Sequence, residues 1–102
     1  MMPMTVADIA TVTSGRLVPS SPADAARSAD LIIDGPVVTD SRLAGPGGLY
    51  VARIGEHADG HRFVGDAAHA GAVAALTSRA VSEVPCVVVD DVQEAFGRLA
   101  RV

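Results

Sequence analysis

The stretch VVTDSRLAGPGGLYVARIGEHADGHRF, residues 37–63, decides the fold. Two apolar runs are each followed at once by a polar cluster: Asp40-Ser41-Arg42 after the first, and Glu56-His57-Ala58-Asp59-Gly60-His61 after the second. The first run belongs to a β-branched segment, 31–39, that Gly35-Pro36 interrupts, so it reads as a strand with a bend or as two short strands. The second, 49–54, has the composition of a buried strand, and Gly45-Pro46-Gly47-Gly48 between them is a turn. Asp59 is placed to cap a helix over 60–70. Phe63, Val64, Ala67, Ala68 and Gly71 keep the spacing of its inward face, and Gly71 ends it.

Outward from this centre, 72–77 and 86–89 read as two further strands, with a turn at Pro85 between them. Asp91-Val-Gln-Glu94 is a capping-box pattern that opens a helix with Val92, Ala95, Phe96, Leu99 and Val102 on one face. At the other end, Thr5-Val-Ala-Asp8 is a second capping box, with Val6, Ile9, Ala10 and Thr13 as the inward stripe and Gly15 as the stop. Residues 16–18 suit a short strand, and 19–30, rich in Pro, Ser, Ala and Asp, suit an exposed loop. The order β-β-α-β-β-α behind a leading helix predicts an α/β fold, a small sandwich of a central β-sheet with packed helices.

The 102 residues are enough for one domain, and 49% hydrophobic residues with only 3% aromatics favour a close-packed core of small side chains. A net charge of −4 argues against a nucleic-acid partner, which needs a basic face. The single cysteine, Cys86, lies in an apolar run and reads as a buried small hydrophobe. The opening MMPMTVADIA lacks a basic, apolar leader and no run approaches a membrane span, so a cytoplasmic protein without membrane contact is expected. The chain stops on Arg101-Val102 with no glycine, proline or charged tail closing its last helix. A piece of a longer protein is therefore expected.

Loops at strand ends are where α/β domains place ligand contacts. Ser41 can donate to a phosphate oxygen and Arg42 can form a charge-assisted pair with one. The competing reading is a local turn held by an Asp40–Arg42 surface pair. In the second cluster, Asp59 as a cap uses part of the helix terminus's capacity for anions, so a phosphate is better placed at the first. The Ala58 backbone can meet a base edge. Metal binding through Glu56, His57, Asp59 and His61 is the rival chemistry; Asp59 is wanted as a cap, and Gly60 breaks the alternation that ligation needs. His69 falls on the polar side of its helix. No Gly-x-x-x-x-Gly-Lys-Ser/Thr loop and no catalytic triad spacing occur, so no catalytic residue is assigned, and the expected task is to hold a ligand. A ligand-free interaction module is the alternative from another class.

Together, VVTDSR, GPGGLYVARIGEHADGHRF, GAVAALTSR and VPCVVVDD resemble the N-terminal domain of the Mur ligases, from about residue 37 to 101. The resemblance implies a cytoplasmic, ATP-dependent amide-forming enzyme of peptidoglycan synthesis with three domains, of which 1–102 is the first. It implies UDP-N-acetylmuramoyl peptide as the bound partner, with central and C-terminal domains supplying ATP, magnesium and the incoming amino acid. No cofactor is then expected on these 102 residues. The opening and GEHADGHRF are most similar to members that add D-alanyl-D-alanine to the tripeptide, and members that add the third amino acid share much of the motif. Carried over by position, Ser41 meets the diphosphate while Asp40 and Arg42 shape its turn. Glu56, His57 and Ala58 lie along the uridine, and Asp59, Gly60 and His61 fix the loop and the helix start. His57 stands where an arginine is common, and Arg53-Ile54 replaces the usual Leu-Pro.

Overall fold

The computed structural model of the chain describes residues 3–55 and 59–102. At its centre is a five-stranded sheet in the order β2-β7-β6-β5-β4, formed by β2 (Arg16–Val18), β4 (Val37–Val38), β5 (Leu49–Val51), β6 (Ala74–Thr77) and β7 (Cys86–Val88). The four later strands run parallel, and β2 joins β7 antiparallel. A small separate ladder pairs β1 (Met4–Thr5) with β3 (Ile32–Ile33). Gly35-Pro36 thus divides two short strands that belong to different sheets, the second of the two alternatives that the sequence leaves open.

Alternation along the strands sorts side chains to two faces, because successive residues of a strand point oppositely. Leu49, Val51, Ala74, Leu76 and Val87 face α1 (Val6–Thr13) and α4 (Val92–Ala100), packing on Val6, Ile9, Val92, Ala95 and Leu99. Tyr50, Ala52, Ala75 and Cys86 face the other way, onto Val64 and Ala67 of α3 (Val64–His69). The result is helix, sheet and helix in three layers, and Cys86 is fully buried among small side chains. Each fully buried Val or Leu contributes about 1.5–3 kcal/mol relative to exposure.

The leading capping box forms in both directions: the Thr5 hydroxyl accepts the Asp8 N–H and the Asp8 carboxylate accepts the Thr5 N–H, each at 3.1 Å. Several expectations are corrected. Ser14, not Gly15, takes the left-handed position that ends α1 (φ 57°). Gly15 is needed for packing instead, since an added Cβ would press on the Val87 and Val89 side chains. The segment 19–30 is not plain loop: a 3-10 turn, Pro22–Asp24, leads into α2 (Ala25–Ser28), and the buried Ser28 hydroxyl donates to the Asp24 carbonyl at 2.7 Å.

The Asp91 box is half made. Its carboxylate accepts the Glu94 N–H, but the Glu94 side chain turns to Arg98, one helical turn on. Val102 lies beyond α4 and is exposed rather than on the inward stripe. The helix over 60–70 begins as a 3-10 turn, Gly60–Phe63, before becoming α3, and that change of pitch throws Phe63 off the inward face. The 49–54 strand is shorter than expected, ending at Val51. Among the described residues no helix is long and apolar enough to cross a membrane.

Candidate functional site

The first polar cluster follows β4, the edge strand. Asp40 keeps an extended backbone and caps a 3-10 turn, Ser41–Leu43, its Oδ1 accepting the Arg42 N–H at 2.9 Å. The Arg42 guanidinium then folds back onto the same carboxylate, Nε to Oδ1 at 3.1 Å and Nη2 to Oδ2 at 2.8 Å. Hydrogen bonds from the Arg42 side chain and backbone hold the Asp40 carboxyl down at about 2. The same pairing raises Arg42. Asp40 and Arg42 therefore do shape this turn as a surface pair. Among the described residues no partner holds the Ser41 hydroxyl.

The second cluster is anchored more firmly. An isolated antiparallel bridge joins Ile54 to Asp59, closing the loop at its base. Gly60 N–H donates to the Arg53 carbonyl at 2.7 Å, and the Tyr50 hydroxyl donates to the Gly60 carbonyl at 2.8 Å. A side chain at Gly60 would sit 2.7 Å from the Arg53 carbonyl oxygen, so glycine is required by close approach. Asp59 caps the turn by accepting the His61 N–H, and it also accepts from Arg79 at 2.9 Å. These bonds hold the Asp59 carboxyl well below the usual carboxylate range, the His61 backbone bond contributing most.

His61 is buried, with Nδ1 at 2.7 Å from Asp59 Oδ1, and its Nε2 accepts the Ser78 N–H at 3.0 Å. Both ring nitrogens are thus spent on the protein, which removes His61 as a ready metal ligand. Glu56, His57 and Ala58, the remaining residues of the metal and uridine readings, lie outside the described residues. His69 is exposed, as its helical position suggests.

One cavity of about 590 Å³ brings the two clusters together: Asp40, Ser41 and Arg42 line it along with Gly55 and Gly60, which flank the second loop. Asp59 and His61 do not line it; they hold its rim from behind. Thr39, Tyr50, Arg53, Phe63 and Asp66 complete the wall, and none was singled out by the sequence as a site residue. Arg53 was visible only as a departure from a Leu-Pro pattern, and Phe63 was hidden by its apolar character. Burial raises the Tyr50 phenol, with help from the negative charges of Asp40, Asp59 and Asp66. A smaller cavity of about 240 Å³, sharing Arg53, is lined by Ser78, Asp90 and Asp91. Its carboxylates suit an anion poorly. The larger cavity is lined by Ser41, which carries a hydroxyl, and by two arginines, Arg42 and Arg53, a set that can receive a phosphate.

Residues 36–102 match the family model described as Mur ligase family, catalytic domain. The chain is 40% identical over its full length to UDP-N-acetylmuramoyl-tripeptide–D-alanyl-D-alanine ligase of Mycobacterium leprae, of which it covers 19%. It is 48% identical over 58 residues, 56% of the chain and 12% of the relative, to UDP-N-acetylmuramoyl-L-alanyl-D-glutamate–2,6-diaminopimelate ligase of Agrobacterium fabrum. A crystal structure of MurF from Acinetobacter baumannii superposes with a TM-score of 0.79 at 28% identity, covering 97% of this chain and 20% of that one. The chain thus spans about a fifth of the length of the curated relatives it matches.

Proposed function

The chain belongs to the Mur ligase family, and from that premise we propose that its larger cavity binds the UDP end of a UDP-N-acetylmuramoyl-tripeptide. In this reading the bound precursor is ligated to D-alanyl-D-alanine in peptidoglycan synthesis, by a longer, cytoplasmic, three-domain enzyme of which residues 1–102 form the precursor-holding domain. The observation that carries it is the shared cavity: Ser41 with its turn on one side, Gly55 and Gly60 on the other. Ser41 donates to a diphosphate oxygen, and Arg42 and Arg53 supply positive charge. Glu56, His57 and Ala58 lie along the uridine, while Asp59, Gly60 and His61 fix the loop that carries them.

Members that add D-alanyl-D-alanine are favoured over those that add diaminopimelate. The former match over 90–100% of the chain in the Mycobacterium leprae and Mycobacterium bovis enzymes, the latter over 56–64% in the Agrobacterium fabrum and Chlorobaculum tepidum enzymes. The ligation chemistry of the family uses ATP and magnesium. The residues here do not fit that cofactor pair: the sequence contains no lysine and no Gly-x-x-x-x-Gly-Lys-Ser/Thr loop to cradle its phosphates. We assign ATP, magnesium and the bond-forming step to the central and C-terminal domains of the longer enzyme, and to this chain only the binding and orientation of the precursor.

Titration of the chain with UDP-N-acetylmuramoyl-tripeptide, followed by amide NMR, tests the reading. Shifts at Ser41, Gly55 and Gly60 are expected at millimolar ligand, weak binding being normal when neighbouring domains complete a site. An unchanged spectrum rejects it, and a stable dimer that occludes Ser41 makes the chain an interaction module instead.

A further inference from the structure

Tertiary structure lines up a serine, a histidine and an aspartate that no sequence spacing announces. Asp59 caps the 3-10 turn that holds His61, and Ser78 follows β6, 17 residues beyond the histidine. Asp59 Oδ1 lies 2.7 Å from His61 Nδ1, and the Ser78 Oγ lies 3.3 Å from His61 Nε2. Because Nε2 accepts the Ser78 N–H at 3.0 Å, it carries no proton, and Nδ1 donates to the carboxylate. A general base needs this tautomer, with a lone pair beside a hydroxyl and an anion behind the ring to steady the imidazolium. The His61 N–H on Oδ1 and Arg79 on Oδ2 fix the carboxylate. A separation of 3.3 Å is ordinary for such a pair before substrate tightens it.

His61 is buried, while Ser78 is half-buried and lines the smaller cavity of about 240 Å³. Ile54 and Val92 give that cavity an apolar part. Val92 and Gln93 are the first two residues of α4, whose N–H groups have no acceptor within the helix. Asp91 accepts from Glu94, the third. The two leading N–H groups and the Gln93 amide are donors suited to the oxygen of a carbonyl under attack. Asp90 and Asp91 on the same wall repel anionic acyl groups. Size and charge together fit a short, uncharged ester.

We propose that Ser78 is an acyl acceptor, its Oγ attacking the carbonyl carbon of a short neutral ester with His61 as general base and Asp59 as the positioning residue. The hydroxyl proton passes to His61 Nε2 as the Oγ–C bond forms. The ester C–O bond then breaks, and the imidazolium returns the proton to the departing alcohol oxygen. Water attacks the acyl-serine by the same route, giving its proton to Nε2 and then to Ser78 Oγ, so that ester and water become acid and alcohol. Nε2 also holds the Ser78 N–H, so the lone pair is shared and turnover is slow. The larger cavity has no part in this chemistry, and the uridine reading stands or falls separately.

The test treats the chain with p-nitrophenyl acetate, following nitrophenol release by absorbance and acetylation by peptide mass spectrometry. The sequence contains no lysine, which removes the commonest competing nucleophile. A burst of nitrophenol and an acetyl group on Ser78 are expected. Ser78→Ala removes the hydroxyl but keeps the N–H that Nε2 accepts, so it should melt as the unaltered chain does and lose the burst. His61→Gln, whose carbonyl can still take that N–H, should slow acetylation of Ser78 by about 100-fold or more. Asp59→Asn presents an amide N–H to Nδ1 and displaces the ring proton to Nε2, so kcat should fall by about 100-fold or more. KM should stay unchanged there, since Asp59 lines neither cavity. An unacetylated Ser78, a burst that survives Ser78→Ala, or acetylation as fast in His61→Gln overturns the assignment. If His61→Gln fails to fold, Asp59→Asn gives the decision: kcat kept, with or without a rise in KM, leaves the three residues a structural tie and nothing more.

Discussion

Asp59 and His61 hold each other twice, the carboxylate Oδ1 accepting the His61 backbone N–H at 3.0 Å and facing the ring Nδ1 at 2.7 Å. The Ser78 N–H donates to Nε2, so that nitrogen carries no proton and Nδ1 bears it, donating to Asp59. The neutral imidazole therefore ties the start of the 3-10 turn to the end of β6, across 17 residues of chain. Replacing His61 with Ala strands a part-buried N–H and removes a buried ring. A loss of about 1–3 kcal/mol in urea unfolding is expected. His61→Gln, whose carbonyl can accept from Ser78, should recover part of it, and an equal loss in both variants would show that ring packing alone matters.

Glycines in this chain divide by what surrounds them. At Gly60 an added Cβ meets the Arg53 carbonyl oxygen at 2.7 Å and the Arg53 nitrogen at 2.8 Å. Gly60→Ala should therefore cost about 1–3 kcal/mol and disturb the cavity rim. In α4, Gly97 has only the mobile end of Arg101 nearby, at 3.5 Å. Gly97→Ala should stabilise by roughly 0.5–1 kcal/mol. Thermal melts of the two variants shifting in the same direction would contradict the geometry.

Ser41→Ala removes a hydroxyl that lines the cavity and that no described residue holds. Affinity for UDP should fall by about threefold to tenfold, the worth of one hydrogen bond, with the melting temperature nearly unchanged. A large drop in melting temperature with unchanged binding would make Ser41 a folding residue.

Acid should release the first turn before it unfolds the sheet. The Asp40 carboxyl is lowered from 3.8 to about 2 by Arg42. A depressed folded value means that its contribution is complete above the ordinary 3.8 and is lost as pH falls through about 2. Asp59, lowered still further, should follow later on the acid side. The Arg42 amide resonance, read between pH 5 and 1.5, should titrate near 2. A midpoint close to 3.8 would show that the Asp40–Arg42 pair does not persist in solution.

Much of this architecture can be read along the chain because it is written locally. Thr5 with Asp8, Asp59 and Asp91 announce helix starts through side chains that reach only two or three residues. The alternation in 49–52 and 74–77 tells which residues share a face. Phe63 departs from the inward stripe because apolar spacing assumes α-helical pitch, and its turn is 3-10. The burial of His61 depends on Ser78, a partner that no local pattern reveals. The β1–β3 ladder is illegible for a different reason: two-residue strands carry too little sequence to declare a pairing. At the site, the polar members Asp40, Ser41 and Arg42 were visible as chemistry. Arg53, Phe63 and Asp66 become wall residues only when the strands and helix are set side by side.

The bridge between Ile54 and Asp59 has an evolutionary corollary. Its hydrogen bonds come from backbone, and it is braced by Gly60 N–H on the Arg53 carbonyl and by the Tyr50 hydroxyl on the Gly60 carbonyl. A lineage, or an engineer, that keeps glycine at 60 and tyrosine at 50 keeps this latch fastened, whatever else along the chain is rewritten.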